Sequence, residues 1–404
     1  MKLVQVSDKK TEAAFFGVTQ LIYADDKNYI PHIRQDIEKI FDPTKNKLFK
    51  LGGSCTRWIL VNEKEQTIGR VAAFINPKTV NASKHSVGGM GFFECIDNRD
   101  AAFMLMNACK NWLTERGIVG MDGPVNFGER DQFWGLLTEN FTGKPSYGLN
   151  YNPPYYQGFF EDFGFQEYFK QLVFWRDLRV PAQEVFVKKA GIISSQAAFK
   201  VKGMRSVPQE QIAAYFLDVY NSAWGGHEGF KAMRLEQARS IIKSMKVIMD
   251  PDILIFAFMG DKPIGFYLSI PELNEFFVHV NGNLNWWGKL KFMYHLKFKK
   301  RHTMLGIVFG VSKEYQGRGV EGAMIKYCGE VVVPMGRYKE TILTWIGDFN
   351  PRMLKVIGNL GTELYRTLTT YRIYFDSSIP FERHPVLGEM KESHNSDNQT
   401  SETN

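Results

Sequence analysis

The chain has 404 residues, 44% of them hydrophobic and 23% charged, which is long and apolar enough for two domain cores. No apolar run approaches the length of a membrane-spanning helix, and the first ten residues carry no apolar stretch, so neither a transmembrane segment nor a secretory signal is expected. Four cysteines without a CxxC pair argue against a zinc or disulfide framework, and the net charge of +7 favours an anionic partner such as nucleic acid, a membrane surface or a nucleotide cofactor.

Residues 11–24 place Ala14, Phe15, Val18, Leu21 and Ile22 at helical spacing, and a second helix is predicted from Ile33 to Phe41. Trp58–Val61 and Gly69–Ile75 read as strands joined by a polar turn, and Gly91–Ile96 as a third. Asp97 and Asn98 cap a helix over Arg99–Arg116. Residues 123–150, rich in glycine and aromatics without a period, read as ordered loop and short helix. A helix beginning near Tyr151 ends at Gly164, and Glu167–Asp177 reads as a strand pair.

After a hinge-like Pro181, the basic and poorly periodic stretch Phe186–Val207 is read as a strand. Helices are predicted over Gln209–Trp224 and Leu235–Met249, broken by Gly225–Phe230. Ile253–Phe258 and Ile264–Ile270 form a hairpin. A basic, aromatic insert, Trp286–His302, precedes a β-branched strand ending at Val311. The loop Gln316-Gly317-Arg318-Gly319-Val320 follows, and then a helix over Glu321–Val332. Strand, glycine-bearing basic loop and helix start together make an anion site, because free backbone N–H groups and the positive end of the helix dipole converge there. Ile342–Ile346 is a further strand, Asn350 and Pro351 start a helix ending near Gly361, and Leu364–Phe375 reads as a strand pair. From Pro385 the tail is polar and expected to be disordered.

The two halves correspond. Ile68-Gly69 and Ile264-Gly265 open equivalent strands, and Asn152-Pro153 and Asn350-Pro351 precede equivalent helices. A duplicated α/β (α+β) fold is inferred, with domains at 1–180 and 181–384, a tail at 385–404, and in each domain a mainly antiparallel mixed sheet flanked by helices. Where the second copy has Gln316–Gly319, the first has Asp97-Asn98-Arg99-Asp100, whose aspartates would repel a pyrophosphate. A phosphate-bearing ligand is therefore expected in the second copy alone.

These residues resemble the acyl-CoA-binding half of the GNAT acyltransferase superfamily. Its Gln/Arg-x-x-Gly-x-Gly/Ala pattern is matched by Gln316 and Gly319 and departed from at Glu321. Its downstream Asn and Gly are matched by Asn350 and Gly361, but Ile357 stands where a thiolate-protonating Tyr is usual. Five further stretches, Asp25–Pro31, Gly69–Ala73, Gly91–Glu94, Gly123–Phe127 and Tyr220–Trp224, are similar to a bacterial two-domain group that includes ceramide synthase-like enzymes. The loop Gly128–Asp131 carries more charge than that group leads one to expect.

The resemblance implies transfer of an acyl group from a CoA thioester to an amine, with long-chain acyl and a sphingoid base as the finer expectation. Acyl-CoA is then a co-substrate, with no tightly bound cofactor and no metal. The coenzyme would meet Phe309, Gly310, Val311, the loop Gln316, Gly317, Arg318, Gly319 and Val320, and Asn350. Candidate bases are Glu94, in an otherwise apolar strand, and His227 and Glu228, in a glycine-flanked loop. A non-catalytic module of the same fold, binding acyl-CoA, lipid or nucleic acid, is the alternative.

The insert has two further readings beside that of a surface helix with its aromatics packed inward. Trp286 and Trp287, with Lys289, Lys291, Lys297, Lys299, Lys300 and Arg301, suit the interface of a membrane, or less well single-stranded nucleic acid. The expected location is cytoplasmic, with peripheral contact at the inner membrane face.

Overall fold

The computed structural model describes residues 1–387 other than 182 and 226–231. In the N-terminal half the strands are β1 (Lys2–Gln5), β2 (Ser54–Val61), β3 (Thr67–Ile75), β4 (Val87–Cys95), β5 (Gly120–Gly123), β6 (Leu136–Glu139) and β7 (Gln166–Asp177). In the C-terminal half they are β8 (Phe199–Gly203), β9 (Leu254–Met259), β10 (Lys262–Pro271), β11 (Thr303–Val311), β12 (Glu340–Gly347) and β13 (Glu363–Tyr374). All of them join one sheet in the order β1-β2-β3-β4-β5-β13-β7-β12-β11-β10-β9-β8, with β6 beside β13. Pairing is antiparallel except for β4 with β5 and β11 with β12.

The two expected strand pairs are instead two unbroken strands, and they are exchanged. β7 ends the N-terminal half yet pairs with β12 of the other half, from Asp177↔Glu340 to Gln171↔Gly347. β13 ends the C-terminal half yet pairs with β5, from Tyr371↔Gly123 to Tyr374↔Gly120. β7 and β13 also run antiparallel along each other from Trp175↔Glu363 to Gln166↔Arg372. Neither segment contains Gly, Pro or Asn, so nothing forces a turn within it. Arg372 of β13 pins the exchange with a two-pronged bond to Asp122 of β5 at 2.6 and 2.8 Å, its guanidinium 3.6 Å from the Tyr168 ring centre.

Each half keeps its own apolar core, one around Leu105, Met106 and Phe160, the other around Ile255, Ile264 and Met324. A third core joins them: Val173 of β7 and Leu368 of β13 pack with Ile270, Leu305 and Ile342.

Other differences from the sequence reading are local. The stretch read as a strand over Phe186–Val207 is a helix, Glu184–Ser194, followed by β8. Its Ala190 and Ile193 are buried at helical spacing and face the helix Val320–Tyr327. At Gly322 a Cβ would stand 2.9 Å from the Phe186 carbonyl oxygen, so the missing side chain permits that approach. Within 123–150 the ordered element is the strand β6, not a helix. The helices near Asn98 and Asn350 start where expected, each capped by its asparagine oxygen on a backbone N–H.

Candidate functional site

β11 and β12 pair only from Thr303↔Glu340 to Gly306↔Leu343 and then diverge. Both strands bulge where they part: β12 slips against β7 between Leu343↔Phe174 and Ile346↔Leu172, and β11 slips on its other edge. Its register against β10 slips between Leu268↔Val308 and Ser269↔Gly306, which leaves Ile307 as a bulge and turns the strand away from β12. Beyond Gly306 the β12-facing edge of β11 has no strand partner. The Thr344 hydroxyl donates to the Ile307 carbonyl across the gap at 3.2 Å.

The gap opens into a cavity of about 400 Å³ walled by Ile307, Val308 and Phe309 on one side and Leu343, Trp345 and Ile346 on the other. Ile357 of the helix Pro351–Asn359 and Leu360 just after it cover it. A second cavity, of about 360 Å³, runs from Phe309–Val311 past Gln316, Gly317 and Gly319 to Lys189 and Arg352. Both are lined by Trp224, Phe309, Asn350 and Met353, so they form one groove from the glycine loop into the splayed strands.

The loop has the geometry of an anion site. Gly317 and Gly319 take φ of +73° and +93°, and Gly319 starts the helix Val320–Tyr327. A Cβ on Gly319 would stand 2.3 Å from the Lys189 carbonyl oxygen, whereas one on Gly317 would meet open space. The Gln316 amide donates to the Val311 carbonyl at 3.0 Å and ties the loop to the end of β11. The exposed Arg318 guanidinium lies 5.7 Å from the Tyr315 ring centre and makes no ion pair among the described residues. Glu321 turns its carboxylate back to accept the Gly317 N–H at 3.5 Å. Asn350 accepts the Met353 N–H through Oδ1 at 3.2 Å, and its Nδ2 faces no bonded partner among the described residues.

At the matching place in the N-terminal half the groove is filled. β4 pairs with β5 only over Val87–Gly89, but the chain after β5 continues beside it: the Val125 N–H donates to the Met90 carbonyl at 2.8 Å. A Cβ on Gly91 would stand 1.9 Å from the Val125 carbonyl oxygen. Glu94 sits opposite Arg70, at the register position that Gly310 holds opposite Phe266. It accepts the Tyr23 and Tyr156 hydroxyls, both at 2.9 Å, with Arg70 at 3.5 Å. Burial pushes its carboxyl above the ordinary range, and the Arg70 charge opposes that shift. Tyr155 and Tyr156 further bond the Cys95 carbonyl and N–H.

The structure therefore gathers Phe309, Gly310, Val311, Gln316, Gly317, Gly319 and Asn350 around one groove, with Val320 at the helix start beside it. It does not bring Glu94 there: β5, β13, β7 and β12 lie between β4 and β11 in the sheet. His227 and Glu228 fall outside the described residues. Sequence reading missed Trp224, Lys189, Arg352 and Met353. Arg352 and Met353 sit in the first turn after Asn350-Pro351, a usable signal, whereas Lys189 was hidden by the misread helix.

Two αβ units, each built on a short parallel strand pair, give this chain the duplicated GNAT-like fold. It is similar over nearly its whole length to the tandem GNAT protein of the clavulanic acid biosynthesis pathway, solved without AcCoA: the TM-score is 0.51 at 11% identity, covering 94% of this chain and 99% of that one. The GCN5-related glucosamine N-acetyltransferase region of a fungal multi-domain β-N-acetylglucosaminidase gives 0.52 at 12% identity, covering 92% of this chain and 38% of that one. In sequence the chain is 24% identical over 376 residues to Protein YghO of Escherichia coli (strain K12), 91% of this chain and 93% of that protein. It is also 24% identical over 380 residues to the bacterial ceramide synthase of Caulobacter vibrioides, 89% of this chain and 93% of that one. No protein-family model matches.

Proposed function

We propose that this protein is an acyl-CoA-dependent N-acyltransferase with one active groove, in its C-terminal half. The observation that carries the reading is the continuous groove from the positive-φ glycine loop to the unpaired edge of β11. The pyrophosphate would rest on the N–H groups of Gly319 and Val320, aided by the Arg318 guanidinium, and the pantetheine arm would bond the β11 edge and the Asn350 amide. A neutral amine attacks the thioester carbonyl, whose developing oxyanion takes a backbone N–H donor near Phe309–Val311; the C–S bond breaks and the thiolate leaves. The amine proton goes to a base, for which His227 and Glu228 are our candidates. In sequence they follow Trp224, a wall of the groove, by three and four residues. Glu94 is proposed to hold the closed N-terminal half together. Ile357 offers no acid, so the departing thiolate takes its proton from water or back from the protonated base.

The apolar lining between the splayed strands, and the likeness to a ceramide synthase, support a long acyl chain and a lipophilic amine such as a sphingoid base. The test is free-thiol release by purified protein, acyl-CoA length being varied against sphinganine and small amines. Release from palmitoyl-CoA with sphinganine is expected. Activity with acetyl-CoA alone removes the lipid part of the reading, and no release with any pair leaves the non-catalytic module.

A further inference from the structure

The helix Trp286–Phe298 is apolar on both its inward and its outward face, which a free surface helix is not. Its inward face is Gly288, Phe292 and Leu296, spaced four apart, which packs on Phe276, Phe277 and Val280. Phe292 stacks on Phe277 at 4.8 Å, and a Cβ on Gly288 would stand 2.0 Å from the Asn283 carbonyl oxygen, so that face is fixed against the body. The opposite face should be polar. Instead Trp286, Trp287, Tyr294 and Phe298 are 68%, 69%, 61% and 65% exposed, with Leu290 and Met293 beside them. At 100° per residue these six lie within one contiguous outward stripe. The reading in which the aromatics pack inward holds for Phe292 and fails for Trp286, Trp287, Tyr294 and Phe298.

The charges around the stripe carry one sign. No acidic residue occurs between Glu275 and Glu314. Two of the cations are tied to the body: Lys299 donates to the Glu275 carbonyl at 3.0 Å, and Arg301 bonds Asp250 at 2.5 Å. Lys289, Lys291, Lys297 and Lys300 are exposed and make no ion pair among the described residues. They stand on or beside the stripe with their ammonium groups free to reach outward.

We propose that this face docks the protein on the surface of an anionic lipid bilayer, lying in the plane of the interface with Trp286, Trp287 and Phe298 at headgroup depth. Indole and phenol rings with lysines on their flanks match a headgroup layer, where one side is apolar and the other wet and negative. A second copy of the chain fits less well, since a two-fold pairing would set like ammonium groups against each other. Nucleic acid leaves Leu290 and Met293 without use. The proposal is independent of the catalytic reading, because docking needs no turnover.

The test is co-sedimentation of the full chain with vesicles of phosphatidylcholine alone or with about one third phosphatidylglycerol. Binding to the anionic vesicles only, reversed by salt and accompanied by a blue shift of tryptophan emission, is expected. The double variant Trp286→Ala, Trp287→Ala and the charge variant Lys289→Glu, Lys297→Glu should each weaken binding at least about tenfold. Both alter exposed side chains, and circular dichroism checks that the fold is kept. Absence of vesicle binding, equal binding to neutral vesicles, or folded variants that bind as before would overturn it. So would a wild-type dimer that the tryptophan variant abolishes, or a preference for a single-stranded oligonucleotide over anionic vesicles.

Discussion

Glu321 is the residue at which this loop departs from the pattern it resembles, and its side chain gives the departure a physical meaning. A carboxylate beside a helix N-terminus is favoured by the dipole and occupies the spot a phosphate would take. Under the proposed function it would compete with the coenzyme. Glu321→Gln should tighten coenzyme A binding a few-fold, about 0.5–1 kcal/mol, and Arg318→Glu should abolish it; titration calorimetry reads both, and weaker binding by Glu321→Gln would make the carboxylate a support of the loop instead. Glu272 is a second residue with a measurable consequence. Its Oε1 accepts the Tyr147 and Asn274 N–H groups at 2.8 and 3.0 Å, while Oε2 is buried with no partner. Burial raises its pKa from 4.5 to about 7. Between those values the folded chain keeps a proton that the unfolded chain has lost, so this site's contribution to stability falls as pH rises to about 7 and is flat above. Glu272→Gln keeps the accepting oxygen and removes that slope. It should raise the melting temperature at about pH 8, by on the order of 1–3 kcal/mol of stability, and leave it nearly unchanged at about pH 4. Gly317 and Gly319 were legible as loop residues because only glycine takes their φ cheaply. Which way Glu321 points was not, since that depends on the turn the two glycines make.

At the scale of elements, the glycine loop works because a helix lies against it. Gly319→Ala meets both a positive φ and the Lys189 carbonyl, so it should cost about 1–3 kcal/mol and lose coenzyme affinity as well; a stable, fully binding alanine variant would show that the two helices separate freely. The partner helix Glu184–Ser194 escaped the sequence reading because Lys188 and Lys189 dilute an apolar face of few residues. The splay of β11 from β12 and the bulge at Ile307 beside it left no trace in the residue pattern. By contrast the capped helices after Asn98 and Asn350 were plain, since caps are local chemistry.

For the whole molecule, the duplication could be read from repeated motifs, but the exchange of β7 and β13 could not. A strand's side-chain pattern says which face is buried and nothing about which neighbour supplies its hydrogen bonds. The exchange has a consequence for stability: residues 1–180 alone would leave β5 without β13 and β7 without β12. That fragment should show no cooperative unfolding by circular dichroism and should regain it when mixed with residues 181–404. Independent folding would mean the exchanged strands add little. The asymmetry of the halves was visible as Asp97 and Asp100 standing in the first copy where Gln316 and Gly319 stand in the second, yet the stronger reason is a plug that only packing reveals. Tyr23, Glu94 and Tyr156 fill the first groove, and Val125 closes its strands, while the second groove stays open. Under the proposed function coenzyme enters this second groove alone. Hydrogen exchange of the full chain with and without coenzyme A reads this out. Slowed exchange over 307–322 and 349–354 with 90–100 unchanged is expected; protection at 90–100, or none near the glycine loop, would refute it.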